Sequence, residues 1–401
     1  MGLPDIFASR TGRMKASEIR ELLKLLNRPG VLSFAGGIPD PALFPAEEFG
    51  RAFAKATSPE WQGNALQYSV SEGYQPLRQW LVQEMAKIGV PCEVENILIT
   101  SGSQQSLDYL GKLFLSPNDT ALVGWPTYLG ALGAFNAYEP AYDQLSINGN
   151  RSAAEYAEQA ERAGGRAKFA YLTADFSNPT GETIDRRGRQ RVLDLAEELD
   201  IAVIEDGAYQ ALRYDGDPVP PILALEIEQC GSIEKARTIY CGSFSKVLSP
   251  GLRVGWIVAA KPVISQLVLM KQASDLHSPT INQMAVHWVA ESGFDRQVAR
   301  ICKVYRERRD VMLGALQHHM PEGVSWTKPE GGMFVWVTLP VGMDGAELLE
   351  RALEKRDLAF VPGRAFFADG SGANTLRLNF SSMAPDEIEE GMRRLGSLLR
   401  E

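Results

Sequence analysis

Short apolar runs alternate with longer amphipathic segments between Ile97 and Gly242. The short runs are rich in β-branched residues and predict strands, whereas the longer segments carry apolar residues three and four positions apart and predict helices. Strands that are joined through helices are typical of a parallel sheet, whose ligand site gathers at the carboxyl ends of the strands. The predicted strands are ILIT, ALVGW, FAYLT, IAVIED and TIYCG, and the helices between them include SQQSLDYLGKLFL and RRGRQRVLDLAEELD.

The pattern changes after about Gln283. A long charged segment predicts a helix, and strand-like runs and two further helices follow it. We therefore expect an α/β fold in three parts: an N-terminal helix and arm over residues 1–45, a large domain over 46–285 and a smaller α+β domain over 286–401. The segments after Gln283 are DRQVARICKVYRERRDVMLGALQ, VSWTKPEGGMFVWVTLP, the helix near Ala346–Lys355, AFVPG, LRLNF and the last helix from Pro385.

Composition narrows the class of protein. The chain has 401 residues, of which 45% are hydrophobic, and a formal net charge of −9, which argues against a nucleic-acid surface or an anionic membrane as partner. Its four cysteines are far apart and form no CxxC pair, so neither a disulfide framework nor a zinc site is predicted. No apolar run has the length of a signal peptide or a membrane span, and we expect a cytoplasmic protein without a bound metal.

The segment TSGSQQSL follows the predicted strand ILIT. Gly102 permits a tight turn there, and Ser103 and Gln104 would lie at a helix N-terminus, whose free N–H groups and dipole suit a phosphate. An ordinary serine N-cap explains Ser103 equally well. The segment matches neither GxxxxGK[ST] nor GxGxxG, which disfavours a nucleotide.

Two further polar segments follow predicted strands. In DFSNPTGE, Asn178 stands before a proline, which is typical of a plain turn. In IEDGAY, Asp206 ends an apolar strand and Tyr209 comes three residues later. An acidic residue at a strand end can also simply cap the next turn.

The segment GSFSKVLSPGLRVGW places Lys246 in an apolar, glycine-bearing context. A lysine in a low-dielectric pocket has a lowered pKa and becomes a nucleophilic amine that can form a Schiff base with an aldehyde. Ser243, Ser245 and Arg253 offer the donors that a phosphate binds. The alternative is a lysine that extends out of an apolar loop into water.

Together these segments supply the parts that pyridoxal 5′-phosphate requires: a phosphate cradle, an aldehyde-reactive lysine and a carboxylate for a ring nitrogen. A carboxylate keeps the pyridine nitrogen protonated, so that the cofactor can delocalise a carbanion at the substrate Cα. The sequence therefore predicts pyridoxal phosphate as the cofactor.

The order of the motifs resembles the fold-type I, class I and II aminotransferases, and within them the α-aminoadipate and kynurenine/aminoadipate aminotransferase group. The resemblance extends from ASEIRELLKLL to the final helix. It implies a mostly parallel seven-stranded sheet with helices on both faces, an N-terminal segment that covers the substrate and packs with the small domain, and a homodimer with shared active sites. The motifs are LSFAGGIPDPALFP, LQYSVSEGYQPLR, ITSGSQQSLD, FSNPTGE, EDGAY, GSFSKVLSPGLRVGW, PEGGMFVWV, VPGRAFF and LRLNF.

The resemblance also implies roles at the cofactor. Lys246 would be the Schiff-base lysine, Asp206 would pair with the pyridine nitrogen, and Asn178 and Tyr209 would bind the ring oxygen. Tyr128 would stack on the ring, although an aromatic residue is also an ordinary part of a core. The implied phosphate ligands are Ser103, Gln104, Ser243, Ser245, Arg253 and, across the dimer interface, Tyr68.

Further residues are implied to bind the substrate. Arg377, in LRLNF, would clamp the α-carboxylate, with Gly37 and Asn178 at the same site. Arg20 would pair with the distal carboxylate of glutamate or 2-aminoadipate and move aside for apolar side chains. A surface arginine on an amphipathic helix is the competing explanation for Arg20.

We therefore expect a ping-pong aminotransferase that moves the amino group of an L-amino acid to a 2-oxo acid such as 2-oxoglutarate. The expected donors are 2-aminoadipate and glutamate, with leucine and aromatic amino acids as further candidates. A β-lyase or decarboxylase with the same cofactor is the first alternative. An aminotransferase-like regulator and a non-catalytic binding protein are less favoured, because no basic helix-turn-helix segment precedes the domain and the lysine, aspartate and arginine are all present.

Overall fold

The computed structural model describes residues 6–14, 30–149 and 151–401, and Arg20 lies outside them. The strands of the described residues form three sheets. In chain order they are β1 (Leu32–Ser33), β2 (Ile97–Thr100), β3 (Thr120–Val123), β4 (Ala141–Gln144), β5 (Ala167–Leu172), β6 (Ala202–Asp206), β7 (Thr238–Ser243), β8 (Gly255–Val258), β9 (Ser325–Trp326), β10 (Phe334–Thr338), β11 (Leu358–Ala359), β12 (Val361–Pro362) and β13 (Thr375–Asn379).

Helices fill most of the chain between these strands. Those of the described residues are α1 (Ala46–Ala56), α2 (Gln62–Leu66), α3 (Gln75–Lys87), α4 (Ser103–Phe114), α5 (Leu129–Phe135), α6 (Ala153–Arg162), α7 (Arg186–Leu199), α8 (Ile222–Cys230), α9 (Lys261–Gln272), α10 (Thr280–His319), α11 (Gly345–Arg356) and α12 (Pro385–Leu399). None of them is long and apolar enough to cross a membrane.

The largest sheet has seven strands in the order β2-β8-β7-β6-β5-β3-β4. All neighbours are parallel except β8, which is antiparallel to both β2 and β7. The predicted mostly parallel seven-stranded sheet is thus confirmed. The hydrophobic pattern identified five of these strands and missed two, because β4 is a half-buried edge strand (AYDQ) and β8 lies in a glycine-bearing run.

Apolar side chains alternate between the two faces of this sheet, as the period of two in a strand requires. In β2, Leu98 packs in the cluster that contains α4, α5 and α9, whereas Ile97 and Ile99 pack in the cluster that contains α3 and α10. In β6, Ile204 joins the first of these clusters and Val203 packs with residues of α7 and α8. Helices therefore cover both faces of the sheet.

A second, antiparallel sheet has the order β12-β13-β10-β9 and packs with α11 and α12. It is preceded by α10, which spans Thr280–His319 and is interrupted at Gly293, where the backbone is not helical (φ 173°, ψ 36°). This interruption explains why the sequence pattern predicted only the later part of the helix. The expected domain boundaries at residues 45 and 285 stay predictions.

The arm that follows β1 lies against the second sheet. The backbone N–H of Asn379 donates to the Phe34 carbonyl at 3.0 Å, and the Ser381 hydroxyl donates to the Ile38 carbonyl at 2.8 Å. Asp40 forms an ion pair with Arg308 of α10 at 2.7 Å. These contacts hold Gly37 between the two sheets.

We predict that Val203→Ala, in the centre of the large sheet, lowers the free energy of unfolding by about 2 kcal/mol, because it removes two buried carbon atoms and leaves a cavity. Val203 is completely buried, whereas Val341 is 98% exposed. The matched control Val341→Ala is therefore expected to change stability by less than about 0.5 kcal/mol. Urea denaturation of the two variants measures the difference, and equal effects would contradict the described core.

Candidate active site

The carboxyl ends of neighbouring strands bring the candidate residues to one edge of the large sheet. Strand β6 ends at Asp206, and β7 ends at Ser243. A short 3₁₀ turn, Phe244–Lys246, follows β7 directly. Because β2 leads into α4 at the same edge, Ser103 at the start of that helix belongs to the same region.

Lys246 is the centre of this arrangement. Its Nζ donates to the carbonyl oxygen of Gly37 at 2.9 Å and lies 5.7 Å from the centroid of the Tyr209 ring. Burial lowers the pKa of Lys246 to about 8, and the charges of Arg377 and Arg253 act in the same direction, while Asp206 opposes them. Such an amine is neutral in a much larger fraction of molecules at neutral pH than an exposed lysine is.

Asp206 is 4% exposed and is held by two donors. Tyr171 donates its hydroxyl to Oδ2 at 2.9 Å, and the backbone N–H of Ala208 donates to Oδ1 at 3.2 Å. Burial raises the pKa of Asp206, although these hydrogen bonds and Lys246 oppose the shift. A cationic ring nitrogen beside this carboxylate would favour its ionised form.

Asn178 connects Tyr209 to Arg377. Its Nδ2 donates to the Tyr209 hydroxyl at 3.4 Å, and its Oδ1 accepts from Nη1 of Arg377 at 2.7 Å. Nη2 of Arg377 donates to the Ala35 carbonyl at 2.9 Å, and the guanidinium lies 4.3 Å from the centroid of the Phe334 ring. The hydrogen bonds fix the orientation of the guanidinium in the site.

The environment of Arg377 is unusual for an arginine. The side chain is 1% exposed, and its Nε has no hydrogen-bond partner among the described residues. Burial lowers the pKa of Arg377 to about 10. A buried cation with an unused donor is a ready site for an anion such as a carboxylate.

The turn at Gly102 and the Arg253 side chain form a cradle of donors that would suit a phosphate. Gly102 has φ +80°, and a Cβ there would collide with the Arg253 guanidinium, so this position requires glycine. Nη1 and Nη2 of Arg253 donate to the carbonyls of Pro250 at 3.2 Å and of Ser101 at 3.5 Å. Ser243 and Ser245 are both buried, and the hydroxyl of Ser243 accepts from the backbone N–H of Ser245 at 3.1 Å.

The other predicted residues are placed as follows. Nε2 of Gln104 donates to the Gly130 carbonyl at 2.7 Å, and the Tyr128 hydroxyl lies 3.5 Å from Oε1 of Gln104. Burial, and to a lesser degree the charge of Asp206, raises the pKa of Tyr128. Tyr68 is 79% exposed and packs edge-on against His277, so within one chain it is not brought to the other candidates.

Sequence reasoning missed Tyr171 and the Ala35 carbonyl. Tyr171 is the one polar-tipped side chain in the predicted strand FAYLT besides its terminal threonine, and it could have been found by asking which donor serves a buried aspartate on the neighbouring strand. The role of the Ala35 carbonyl could not be found from sequence, because a backbone acceptor carries no residue-type signal.

The donor set fits pyridoxal phosphate. A buried carboxylate, an amine of lowered pKa, a glycine turn facing an arginine and two buried serines meet at one sheet edge. Among residues 6–14, 30–149 and 151–401, no group of three or more His, Cys, Asp or Glu side chains is arranged to hold a metal ion.

Comparisons with known proteins agree with this chemistry. The family model of aminotransferase class I and II matches residues 41–395. Aromatic-amino-acid aminotransferase 1 of Thermococcus litoralis is 42% identical over 98% of this chain and 94% of its own length. The 2-aminoadipate transaminase of Thermus thermophilus is 43% identical over 99% of this chain and 97% of its own length.

A solved structure is similar over the whole chain. The crystal structure of LysN, the α-aminoadipate aminotransferase of Thermus thermophilus complexed with N-(5′-phosphopyridoxyl)-L-leucine, has a TM-score of 0.88 and 42% identity, and the match covers 100% of this chain and 98% of that one. The match confirms the fold-type I architecture. The chain therefore belongs to the class I and II aminotransferases and is a transaminase that depends on pyridoxal phosphate.

Proposed function

We propose that the site around Lys246 transfers the amino group of an L-amino acid to a 2-oxo acid such as 2-oxoglutarate by a ping-pong route. The observation that carries this assignment is the Lys246 amine, whose pKa is lowered to about 8 and whose Nζ lies within hydrogen-bond distance of Gly37. Arg377, buried and with an unused donor, supports a carboxylate substrate at the same place.

Each part of the cofactor would be bound by a different group of residues in the site. Asp206 would hold the ring nitrogen, Asn178 and Tyr209 the ring oxygen, and Tyr128 one face of the ring. When bound, pyridoxal phosphate supplies an electron sink for negative charge at the substrate Cα. The residues that would hold its phosphate are Ser103, Gln104, Ser243, Ser245 and Arg253.

Lys246 would act as the proton carrier of the reaction. In its neutral form, Nζ can accept the proton that leaves the substrate Cα, and as an ammonium it can return a proton. A base works best when its pKa lies close to the working pH, and a pKa of about 8 meets this condition better than that of an exposed lysine. The Gly37 carbonyl would keep the amine oriented between transfers.

Arg377 would bind the substrate α-carboxylate through two parallel hydrogen bonds, with Gly37 lining the same place. A Cβ on Gly37 would lie 3.8 Å from Nη2 of Arg377 and 3.3 Å from the Phe334 ring. A side chain at residue 37 would therefore occupy space next to the guanidinium. Asn178, which holds Nη1, orients the fork.

We further propose a homodimer in which Tyr68 reaches the phosphate site of the partner. The ring of Tyr68 is 79% exposed, and Arg253 at the cradle is also exposed in a single chain. A partner subunit would cover both side chains.

A cytoplasmic location stays a prediction from the sequence.

The proposed amino donors are 2-aminoadipate and glutamate, with leucine and aromatic amino acids as further substrates. Two relatives at 42–43% identity are named for aromatic amino acids and for 2-aminoadipate, and the structure of LysN holds a leucine derivative of the cofactor. Arg20, the proposed reader of a distal carboxylate, lies outside the described residues, so this part rests on the sequence and the relatives.

We predict that the purified holoenzyme, mixed with 2-aminoadipate alone, converts its cofactor to the amino form in one turnover and that 2-oxoglutarate reverses the change. Lys246→Ala should reduce this half-reaction by at least about a thousandfold, because it removes both the covalent anchor and the proton carrier. Stopped-flow absorbance spectroscopy measures the rate of the conversion with 2-aminoadipate and of its reversal with 2-oxoglutarate.

Lys261→Ala is the matched control for Lys246→Ala, because Lys261 is a partly exposed lysine that pairs with Glu93. It should leave the half-reaction unchanged. Near-normal turnover in Lys246→Ala would disprove the assignment, whereas a response to leucine or phenylalanine but not to 2-aminoadipate would revise only the substrate.

We also predict that Arg377→Lys lowers kcat/KM for the amino acid by about a hundredfold, because an ammonium cannot reproduce the bidentate fork. Pyridoxal phosphate binding should stay within about twofold of the unchanged enzyme. Arg364→Lys, at an exposed arginine paired with Asp344, is the matched control and should have no effect on either quantity. A loss of cofactor affinity equal to the loss of kcat/KM would argue against a substrate role.

A further inference from the structure

Lys271 is a buried lysine that the proposed reaction does not use. It lies near the end of α9, and its side chain is 0% exposed. Lysine is rarely buried to this degree unless its charge is paired and hydrogen-bonded, because removing an ammonium from water is costly. Burial indeed lowers the pKa of Lys271, and Asp275 opposes this shift.

Four oxygen atoms surround the ammonium. Nζ donates to both carboxylate oxygens of Asp275, at 2.9 and 3.0 Å, to Oε1 of Gln105 at 3.0 Å and to the Ser278 hydroxyl at 3.1 Å. Gln105 also donates from Nε2 to Asp275 at 2.8 Å. The lysine, the aspartate and the glutamine thus form a closed network in which each side chain fixes the other two.

The network ends on the backbone of the phosphate cradle. The Gln105 oxygen that accepts from Lys271 also accepts the backbone N–H of Ser101 at 2.8 Å. The Ser101 hydroxyl lies 3.0 Å from the hydroxyl of Ser278 and 3.3 Å from Asp275. The residue after Ser101 is Gly102, where the cradle turns with φ +80° into the first turn of α4.

The carbonyl of Ser101 faces the other side of the cradle. It accepts from Nη2 of Arg253 at 3.5 Å, so the backbone of Ser101 links the arginine to the Lys271 network. Asn282 holds the segment that carries Arg253, because its Nδ2 donates to the Leu252 carbonyl at 3.0 Å. Ser101 is therefore fixed at its N–H, its side chain and its carbonyl.

We propose that Lys271, together with Asp275 and acting through Gln105, is a positioning residue that holds the Ser101 peptide and the following turn in the shape that receives the cofactor phosphate. This inference rests on the proposed phosphate ligands Ser103 and Arg253. Lys271 itself does not touch the ligand. Its ammonium group holds Oε1 of Gln105, and this oxygen holds the backbone N–H of Ser101.

A lysine suits this role better than an apolar residue. The Gln105 oxygen receives two donors, and without the ammonium the amide group could rotate and release the Ser101 N–H. Leaving this partly buried donor without its partner is expected to shift the equilibrium constant for phosphate binding by roughly tenfold. The substitution would therefore weaken the binding of the phosphate at the cradle and leave the binding of the ring unchanged.

The test compares two probes that differ only in the phosphate. The dissociation constants of pyridoxal phosphate and of pyridoxal are measured on the apoprotein by absorbance titration, for the unchanged chain and for Lys271→Met. We expect the preference for the phosphorylated probe to fall about tenfold in Lys271→Met, while the affinity for pyridoxal stays the same. If Lys271 only stabilised the fold, its substitution would weaken the binding of both probes equally or of neither.

Lys261→Met is the matched control, because it makes the same substitution on the same helix at a partly exposed lysine. It should leave the preference unchanged, and an equal loss in this variant would overturn the proposal. Because Lys271→Met could fail to fold, Gln105→Met is measured as well. It keeps the Lys271–Asp275 ion pair but removes the amide that joins this pair to the backbone N–H of Ser101, and it should show the same tenfold loss.

The proposal is overturned if the folded variants, checked by circular dichroism and thermal unfolding, keep the preference of the unchanged chain. The proposed function is tested separately by the unchanged chain itself. If that chain binds neither probe, the cofactor site around Lys246 is wrong, whereas normal binding with unaffected variants removes only the role of Lys271.

Discussion

The partial burial of Lys246 beside two arginines is the constraint on which the proposed site depends. The charges that act on the Lys246 amine are those of two arginines, Arg377 and Arg253, and of one carboxylate, Asp206. Such a site disfavours the ammonium form of the lysine and attracts anions. A phosphate at the cradle and a carboxylate at Arg377 would supply the missing negative charge. The same imbalance lowers the pKa of the amine and would favour anionic groups beside it.

The fold creates this imbalance by bringing together residues that are far apart in the chain. Asp206 and the Lys246 turn follow adjacent parallel strands, and Arg377 reaches the site from a strand of the second sheet. The arm around Gly37 closes the gap between them, since its carbonyls accept from Lys246 at residue 37 and from Arg377 at residue 35. A shift of either sheet would therefore alter the amine and the carboxylate site together.

Sequence patterns could predict the parallel sheet, and they marked candidate site residues because polar residues and glycine mark the ends of the strands. Lys246, Asp206 and Asn178 were singled out in this way, and Arg377 followed from the resemblance. The structure brings the four residues together, and their roles stay predictions. Edge strand β4 was missed because its residues are half-buried, so its apolar pattern is weak. Lys271 was missed for a different reason: its burial depends on partners near residues 105 and 275, and nothing in its own segment marks it as buried. The role of Tyr68 at a dimer interface came only from the resemblance, and it stays a prediction because it depends on a second chain.

The most direct test of the central claim is the pH dependence with which the apoprotein takes up pyridoxal phosphate. The neutral amine is the reactive form, so the pH dependence of the uptake rate, compared with that of a small-molecule lysine derivative under the same conditions, reports the ionisation of Lys246. A lowered pKa predicts that the uptake rate of the protein levels off above a midpoint of about 8, while that of the derivative keeps rising. A rate that keeps rising in parallel with the lysine derivative, toward the ordinary lysine pKa of about 10.4, would contradict it.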